Sequence, residues 1–347
     1  MGKYYIKFGL SKNFNAGSKA MKDIMALLES RGYRVVSSLP ADAGKILKLM
    51  DIPLLFFTLL FKVGRRGTIV YFIPSNALRI RFLSFFRKIV GFRLLCFVND
   101  VESMRMVKSE KYAVGEMKGI ATADVVLVPN ENSVRILREK HQMLNPMIPV
   151  GVWDYLVDDS MLPVEHGGEM NPRGVVAYAG NLNLAPFIDA LQSVGLSFRI
   201  WGSGKAKGGE SPVVFMGEEY PERLVGKIAG CSWGLVWSGS SVETCNGQVG
   251  DYLKFNNSHK CGLYLAAGIP LIVWQESGMA QFVRKQQVGI CVSSLNEAAD
   301  VIRRMDNSVY SIYRRNAQHM GGQVRKGDFF LRALAEAENF LNRKKYV

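Results

Sequence analysis

The stretch Cys231–Trp274 reads CSWGLVWSGSSVETCNGQVGDYLKFNNSHKCGLYLAAGIPLIVW. Its first apolar run, Trp233–Trp237, has the length of a buried parallel strand, and Leu271–Trp274 has the length of a second one. Between them, Asn257 and Ser258 are good N-cap residues for a helix, and a glycine and a proline follow where that helix would end. The stretch therefore predicts a strand–loop–helix–strand unit whose polar residues gather at the helix N terminus.

The N terminus of this predicted helix has the properties of an anion site. Its first N–H groups have no partner within the helix, and the helix dipole adds partial positive charge. Lys260 lies in the first turn and adds a full charge. The pattern favours a phosphate ligand, and the alternative is an ordinary strand–helix–strand unit with a surface lysine.

Length and composition indicate a folded protein of two domains. With 347 residues, the chain has material for two hydrophobic cores. Apolar residues make up 48% of it and charged residues 21%, as in soluble globular domains. The five cysteines include no CxxC pair, so buried thiols in a reducing compartment are expected rather than disulfides or zinc. The first residues have the pattern of a strand rather than of a signal peptide, which makes the cytoplasm the expected location.

The positive charge is concentrated in the first part of the chain. Residues 1–150 hold 24 Lys and Arg against 11 Asp and Glu, a net charge of +13, and the remainder has a net charge of +1. Nucleic acid, an anionic membrane and a phosphorylated acceptor would each match such a charge. The basic residues stand among Phe, Leu and Ile and form no known nucleic-acid module. An anionic membrane is therefore the expected partner, and nucleic acid is not.

Two apolar segments lie within this basic part. The run Ile46–Val63 has a clean apolar core of ten residues, Ile52–Phe61, which is too short to span a bilayer, since a span needs about 20. It is either a buried helix or a segment lying in the plane of a membrane surface. Residues 76–93 predict a helix with cations beside bulky apolar side chains. Together the two segments predict a basic and hydrophobic membrane patch, whose helical members are Arg79, Arg81, Arg87, Lys88, Phe82, Phe85 and Phe86.

Strands alternate with helices on both sides of a polar linker. Over residues 1–150 the alternation predicts a parallel sheet covered on both faces. The polar run Asp158–Arg173 is the natural linker, and a second alternation begins at Val175. The expected fold class is therefore α/β.

Two carboxylates directly follow predicted strands. Asp100 comes just after the buried strand Leu94–Val98, at the sheet edge where α/β enzymes place catalytic groups, so it is a candidate general base. The alternative is an N-cap for the next segment. Glu276 follows the second strand of the quoted stretch. It either accepts hydrogen bonds from ribose hydroxyls or caps the helix that starts at Ser277.

The segment Ser241–Lys260, SVETCNGQVGDYLKFNNSHK, resembles bacterial β-1,6-galactofuranosyltransferases of O-antigen synthesis. Two shorter matches to these enzymes are Ala-Gly-x-Lys-Ala at Ala16–Ala20 and Tyr-Ala-Gly-Asn-Leu at Tyr178–Leu182. Lys260 followed by Leu265–Pro270 is similar to the glucosyltransferases that extend sugars on streptococcal serine-rich adhesins. The resemblance extends weakly over nearly the whole chain and is dense only around Lys260.

Both families have the GT-B fold, so the resemblance implies two Rossmann-like, doubly wound parallel-sheet domains that face a cleft. The implied boundaries place an acceptor-binding domain at residues 1–157, a linker at 158–173 and a nucleotide-sugar-binding domain at 174–325. Residues 326–347 would form a terminal helix that crosses back to the N-terminal domain.

The resemblance also implies the reaction and its site. A galactofuranosyl residue would move from UDP-galactofuranose to a glycan acceptor, expected to be lipid-linked, with inversion and without a metal or cofactor. Asp100 would be the catalytic base that takes the acceptor proton across the cleft. Residues expected to bind the donor are Gly180, Asn181, Tyr252, Asn256, Asn257, Ser258, Lys260 and Glu276. Residues expected on the acceptor side are Gly17, Lys19 and Asn99.

The chain departs from the family pattern at two positions. Asn99 stands where both families have His before the aspartate, and Asn183 stands near the position where family members usually place a basic residue. These departures keep a non-catalytic, GT-B-like glycan-binding scaffold as an alternative. A transferase for UDP-glucose or another UDP-hexopyranose is a second alternative. No DxD pair or histidine spacing suggests a metal site, the expected location is the inner membrane face, and homo-oligomerisation stays open.

Overall fold

The computed structural model of the chain describes residues 2–6, 16–36, 55–74, 77–162, 171–204 and 211–343. Contacts divide the chain into two units. The first contains residues 1–13 and 21–150 and the chain from Phe330 onward, and the second contains residues 14–20 and 151–329. The boundaries expected from the sequence, at 157 and 326, lie a few residues from these crossings, but the assignment of residues 14–20 to the second unit was not expected.

The first unit is built on a six-stranded parallel sheet in the order β2-β1-β3-β4-β5-β6. Its central strands β3, β4 and β5 are almost continuously apolar and buried on both faces, as the strands of a covered parallel sheet must be. Helix α1 begins in the part of the chain that contacts assign to the second unit. The elements are β1 (Lys3–Tyr5), α1 (Ala16–Ser30), β2 (Arg34–Val35), β3 (Thr68–Ile73), α2 (Ala77–Val90), β4 (Arg93–Val98), α3 (Glu102–Arg105), α4 (Glu110–Ala121), β5 (Val125–Val128), α5 (Glu131–His141) and β6 (Met147–Pro149).

The second unit has its own six-stranded parallel sheet, in the order β12-β11-β10-β7-β8-β9. The chain runs outward from β7 in one direction and then returns to start β10 on its other side. This reversal makes the carboxyl ends of β7 and β10 the switch point, which is where doubly wound sheets bind ligands. The elements are β7 (Val176–Ala179), β8 (Phe198–Trp201), β9 (Val213–Gly217), α6 (Pro221–Ile228), β10 (Trp233–Val236), α7 (Gly247–Tyr252), α8 (His259–Ala266), β11 (Leu271–Trp274), α9 (Ala280–Gln286), β12 (Gly289–Val292), α10 (Leu295–Arg304) and α11 (Asn307–Lys326). The prediction of two doubly wound parallel sheets is confirmed.

The last helix, α12 (Asp328–Arg343), is fixed to the first unit by specific contacts. The Phe330 ring lies edge-on to Phe97 of β4, with centroids 5.5 Å apart. The Glu338 carboxylate accepts a hydrogen bond from the Tyr33 hydroxyl at 2.9 Å and forms an ion pair with Lys3 at 2.7 Å. The chain therefore ends its described part against the sheet with which it began.

The apolar segment predicted at Ile46–Val63 is described only from residue 55 onward. Residues 55–58 are helical, and Leu59–Val63 form a π-helical turn. Within this stretch Leu55, Leu59 and Val63 are buried, whereas Phe57 and Phe61 are exposed, so its described part is not the wholly buried helix of the first alternative. None of the helices in the described ranges is long and apolar enough to cross a membrane.

One of the cations expected in the membrane patch faces the protein instead. The Arg87 guanidinium forms an ion pair with Asp124 and donates to the Thr122 carbonyl at 3.0 Å. Phe86, also expected on the patch, is buried. The partly buried carboxylate of Asp124 thus draws one arginine inward, which helical spacing alone does not reveal. The Arg79 side chain lies outside the described residues.

Candidate active site

The quoted stretch folds as its pattern predicts, with β10, α8 and β11 in the expected places. The loop before α8 contains the additional short helix α7. Helix α8 begins at His259, and Ser258 is its N-cap: the Ser258 hydroxyl accepts from the Lys260 N–H at 3.4 Å. The rest of the helix is buried, since residues 261–266 contact the core.

Tyr264 fixes α8 against the switch point of the sheet. Its ring lies on β10 at Gly234, where a Cβ would be only 2.2 Å from the ring. Its hydroxyl accepts a hydrogen bond from the N–H of Ala179, the last residue of β7, at 2.9 Å. Because residues four apart share a helix face, this contact also directs Lys260, one turn earlier, toward the end of β7.

The Lys260 side chain crosses the backbone of Gly180, the residue that follows β7. A Cβ on residue 180 would lie 3.1 Å from the Lys260 Cε and 3.6 Å from its Nζ. The ammonium group also lies over the Tyr178 ring, 5.3 Å from the centroid. The structure therefore brings together two predicted donor-binding residues, Lys260 and Gly180, at the switch point. It does so beside a helix N terminus.

A second lysine and a histidine flank this position. Lys19 is buried, donates from Nζ to the Leu156 carbonyl at 2.7 Å, and lies over the Tyr155 ring at 4.9 Å. The His259 ring stacks on Trp153, with centroids 6.1 Å apart and an interplanar angle of 18°. Burial first, and then the charges of Lys19 and Lys260, lower the pKa of His259 to about 4. The imidazole is therefore neutral at neutral pH.

Two buried polar atoms at this helix end have no hydrogen-bond partner in the described part of the chain. They are the Asn256 Oδ1 and the His259 Nε2. A buried polar atom without a partner costs about 1–3 kcal/mol, so the pair marks a place where a polar ligand group would be stabilising. Asn257 differs, since its Nδ2 donates to the Gly151 carbonyl at 3.1 Å and thus holds the backbone.

A cavity of about 340 Å³ opens at the carboxyl ends of β7, β8 and β9. Glycines allow the backbone segments that line it to approach each other closely, since a Cβ on Gly202 would be 1.7 Å from the Gly180 carbonyl oxygen. This cavity was not predicted from the sequence, although the glycines that follow a predicted strand were a signal for it. Its lining residues are Leu182, Ile200, Gly202, Gly204, Phe215, Gly217 and Glu218.

The remaining predicted donor-binding residues lie around these elements. Asn181 is exposed, and its Oδ1 accepts from the Asn183 N–H at 3.1 Å, which caps a short 3₁₀ turn. Tyr252 is buried in α7 and stacks on Phe255 at 5.8 Å.

Glu276 is exposed and forms an ion pair with Lys254 at 3.2 Å. It does not cap the following segment, because the Ser277 hydroxyl accepts from the Met279 N–H at 3.0 Å. The capping alternative for Glu276 is therefore wrong.

The candidate base Asp100 lies in the first unit, two residues beyond β4. The Arg105 guanidinium donates to its Oδ2 at 2.5 Å, and its own N–H donates to the Ile73 carbonyl at 3.2 Å. The cap position of the next helix, α3, is Val101 rather than Asp100. The free N–H groups at the start of α3, those of Glu102 and Ser103, donate to the buried carboxylate of Glu116, each at 3.0 Å.

The other residues predicted on the acceptor side lie apart in the chain. Asn99 donates its N–H to the same Ile73 carbonyl, at 3.0 Å. Gly17 lies in the first turn of α1, and contacts group it with Lys19 in the second unit. Over the residues that the structure describes, no three His, Cys, Asp or Glu side chains come together as metal ligands would.

Comparison with known proteins relates both halves of the chain to one family. The model of the glucosyltransferase 3-like N-terminal domain matches residues 3–152, and that of the C-terminal domain matches residues 176–337. The β-1,6-galactofuranosyltransferase WbbI of Escherichia coli K12 is 27% identical over 323 residues, which cover 93% of this chain and 94% of WbbI. Glucosyltransferase 3 of Streptococcus gordonii is 28% identical over 246 residues, covering 71% of this chain and 68% of that protein.

Solved structures share the fold at low sequence identity. Sucrose-phosphate synthase from Thermosynechococcus elongatus superposes with a TM-score of 0.65 at 12% identity, covering 99% of this chain and all of that one. The Anabaena HepE protein in complex with UDP superposes with a TM-score of 0.61 at 14% identity, covering 98% and 100%. Because the family models together match both parallel-sheet units, the chain belongs to the glucosyltransferase 3-like family and is a glycosyltransferase of the GT-B type.

Proposed function

We propose that the protein transfers a galactofuranosyl residue from UDP-galactofuranose to a glycan acceptor, with inversion and without a metal. The observation that carries the proposal is the position of Lys260, whose ammonium group lies against Gly180 at the N terminus of α8. A departing nucleoside diphosphate needs positive charge at such a place, and a helix terminus with a lysine supplies it.

The donor would occupy the switch point of the second unit. The cavity beside Leu182 has room for a nucleobase, and the diphosphate would extend from it past Gly180 to Lys260. The unpartnered atoms of Asn256 and His259 would then gain polar partners. The complex of HepE with UDP, which shares this fold, supports a uridine nucleotide. Glu276 would receive the ribose hydroxyls while it stays paired with Lys254.

Asp100 would act on the acceptor. Its carboxylate would take the proton of the attacking hydroxyl while that oxygen bonds to the anomeric carbon and the bond to the diphosphate oxygen breaks. A single displacement of this kind inverts the anomeric configuration. The ion pair with Arg105 would hold the carboxylate in place during the attack.

The identity of the sugar rests on the relatives. The name of WbbI specifies galactofuranosyl transfer, and its sequence matches nearly the whole chain. The second candidate is UDP-glucose, which the name of the Streptococcus gordonii relative and a HepE structure holding UDP-glucose favour. The expected acceptor is a lipid-linked glycan of a surface polysaccharide such as O-antigen, extended at the inner membrane face.

A donor screen tests the proposal. Purified full-length protein would receive UDP-galactofuranose, UDP-glucose or UDP-galactopyranose with a lipid-linked galactose acceptor, and the product linkage would be determined. A β-linked galactofuranosyl product is expected. A glucosyl product would establish the second candidate, and UDP binding without turnover of any donor would favour a non-catalytic glycan-binding scaffold.

A further inference from the structure

The first unit exposes a continuous aromatic surface within its described residues. The Phe57 and Phe61 rings stack nearly parallel, with centroids 6.2 Å apart. Phe56 connects them to α2, since its ring lies 5.6 Å from Phe57 and 4.6 Å from Phe86. Phe85 packs on Phe86 at 5.7 Å. The outward members, which we call the aromatic face, are Phe57, Phe61 and Phe85 together with Ile89, one turn after Phe85.

The aromatic face is unusually open to solvent. Phe61 is 77% exposed, Phe85 59%, Ile89 56% and Phe57 54%. Single exposed apolar side chains are common on proteins, but a contiguous aromatic group usually marks a surface that contacts another molecule or a membrane. The favoured ligand is therefore one with an apolar interior.

Helix α2 cannot turn Phe85 and Ile89 inward. Its opposite side is fixed in the core by the buried residues Ile80, Leu83 and Phe86. The ion pair between Arg87 and Asp124 adds a polar contact on the inner side. The outward direction of Phe85 is thus set by the packing of the whole helix.

Cations accompany the aromatic face, and acids are absent from its sequence. The chain has no Asp or Glu between Asp51 and Asp100. On the outer side of α2, Arg81 precedes Phe85 by four residues and Lys88 follows it by three, so charge and apolar surface alternate at helical spacing. Among the described side chains, the exposed cations on or directly beside the two apolar segments are Lys62, Arg65, Arg66, Arg81 and Lys88.

We propose that this surface binds an anionic lipid bilayer, with Phe57 and Phe61 entering the interfacial layer and the cations contacting lipid headgroups. Bulky apolar side chains beside Lys and Arg are the features by which a peripheral segment lies in a membrane interface. A bilayer offers an apolar interior below a dense layer of negative charge, and so matches both components at once. The inference does not depend on the donor sugar, and a failure of either proposal leaves the other intact.

Vesicle sedimentation of the full chain tests the surface. The protein should sediment with vesicles of phosphatidylglycerol and phosphatidylcholine at low salt, and largely leave them at high salt. The double change Arg81→Gln and Lys88→Gln should lower the partition coefficient about 25-fold, since each cation contributes about fivefold. The matched control neutralises Arg138 and Lys140, two exposed cations on α5, and should change the partition coefficient much less.

The aromatic residues need their own test. Phe57→Ser with Phe61→Ser should weaken binding by about tenfold or more, whereas Leu144→Ser, at a side chain that is 94% exposed elsewhere, should not. Brominated lipids should quench the tryptophan fluorescence of the Phe61→Trp variant more than that of the wild-type protein. If the serine double variant bound vesicles as strongly as the wild type, or if the Phe61→Trp variant showed no extra quenching, the proposed insertion of Phe57 and Phe61 would be overturned. Self-association that the same variant abolishes, without vesicle binding by the wild type, would assign the surface to a second copy of the chain.

Discussion

The Lys260 side chain lies so close to the backbone of Gly180 that a Cβ on residue 180 would be 3.1 Å from its Cε. The closeness follows from Tyr264, which ties α8 to the end of β7 through the Ala179 N–H. A single helix face thus holds both the anchor and the cation. Side-chain size at residue 180 therefore controls where the ammonium group lies.

Lys260→Ala is expected to weaken UDP binding by about 1.5–3 kcal/mol, because a charge-assisted contact with the diphosphate is lost. Isothermal titration calorimetry of UDP binding to the folded variant and the wild type measures this difference. An unchanged UDP affinity would remove Lys260 from the diphosphate site.

Gly180→Ala is expected to weaken UDP binding by about 0.5–1.5 kcal/mol, the cost of forcing a side chain off its preferred rotamer. In the Lys260→Ala background the same change should have no further effect, since the crowded side chain is gone. Gly322→Ala is the matched control, because a Cβ there meets nothing within 4 Å. Additive effects of the two substitutions would show that residue 180 acts independently of Lys260.

Tyr264→Phe should lower both the free energy of unfolding and the UDP affinity. The change leaves the buried Ala179 N–H without its acceptor, which costs about 1–3 kcal/mol, and it loosens α8 against the switch point. Tyr310→Phe provides the comparison, because the Tyr310 hydroxyl donates to the Ser232 carbonyl at 2.8 Å. Denaturant unfolding should show a lower free energy of unfolding for both variants, and calorimetry should show weaker UDP binding only for Tyr264→Phe.

Local sequence patterns were sufficient for the architecture and for part of the site. Apolar runs and the N-cap at Ser258 predicted β10, α8 and β11, because strand burial and helix capping depend on neighbouring residues. The helix N terminus indicated Lys260 as an anion-binding residue, whereas the importance of Gly180 came from a resemblance. Their proximity could not be predicted, since it depends on a hydrogen bond between residues 85 positions apart.

The remaining features depend on contacts that no local pattern encodes. Lys19 donates to a carbonyl 137 positions later in the chain, and the cavity beside Leu182 needs three strand ends to meet. Arg87 has the helical position of a surface cation but pairs with Asp124. Glu116, from another helix, caps the segment for which Asp100 was the sequence candidate. Each case depends on a tertiary contact, and for Arg87 and Asp100 that contact replaces the role that local sequence suggested.

Asp100→Asn should lower turnover by about two to four orders of magnitude, the usual contribution of a general base, while UDP affinity and stability stay unchanged. The amide is nearly isosteric with the carboxylate, and the cap position of α3 is Val101 rather than Asp100. Single-turnover kinetics with a saturating donor measures the effect. Glu116→Gln is the contrasting variant, which should lower stability through α3 and leave turnover of the folded protein nearly intact. A parallel loss of stability and activity in Asp100→Asn would argue against its role as the base.

Chelation should leave the activity unchanged. In the proposed mechanism the helix terminus and Lys260 balance the charge of the leaving diphosphate, so no divalent cation is required. Initial rates would be compared before and after dialysis against EDTA, with and without added Mg²⁺ or Mn²⁺. A strict requirement for either ion would contradict the assignment of that charge to Lys260.

His259 should make the protein less stable as the pH falls below neutrality. Burial and two nearby lysines lower its pKa to about 4 in the folded state, whereas an unfolded chain has the ordinary value of about 6.5. The unfolded state therefore binds the proton more readily, and stability decreases as the pH falls from about 6.5 to about 4. By linkage, the loss of stability at pH 5 is about 2 kcal/mol relative to pH 8.

Denaturant unfolding at the two pH values should show this difference in the wild type and a smaller one in His259→Asn. His319→Asn is the control, since that histidine lies exposed on α11. An unaltered pH dependence in His259→Asn would mean that other groups cause the acid destabilisation.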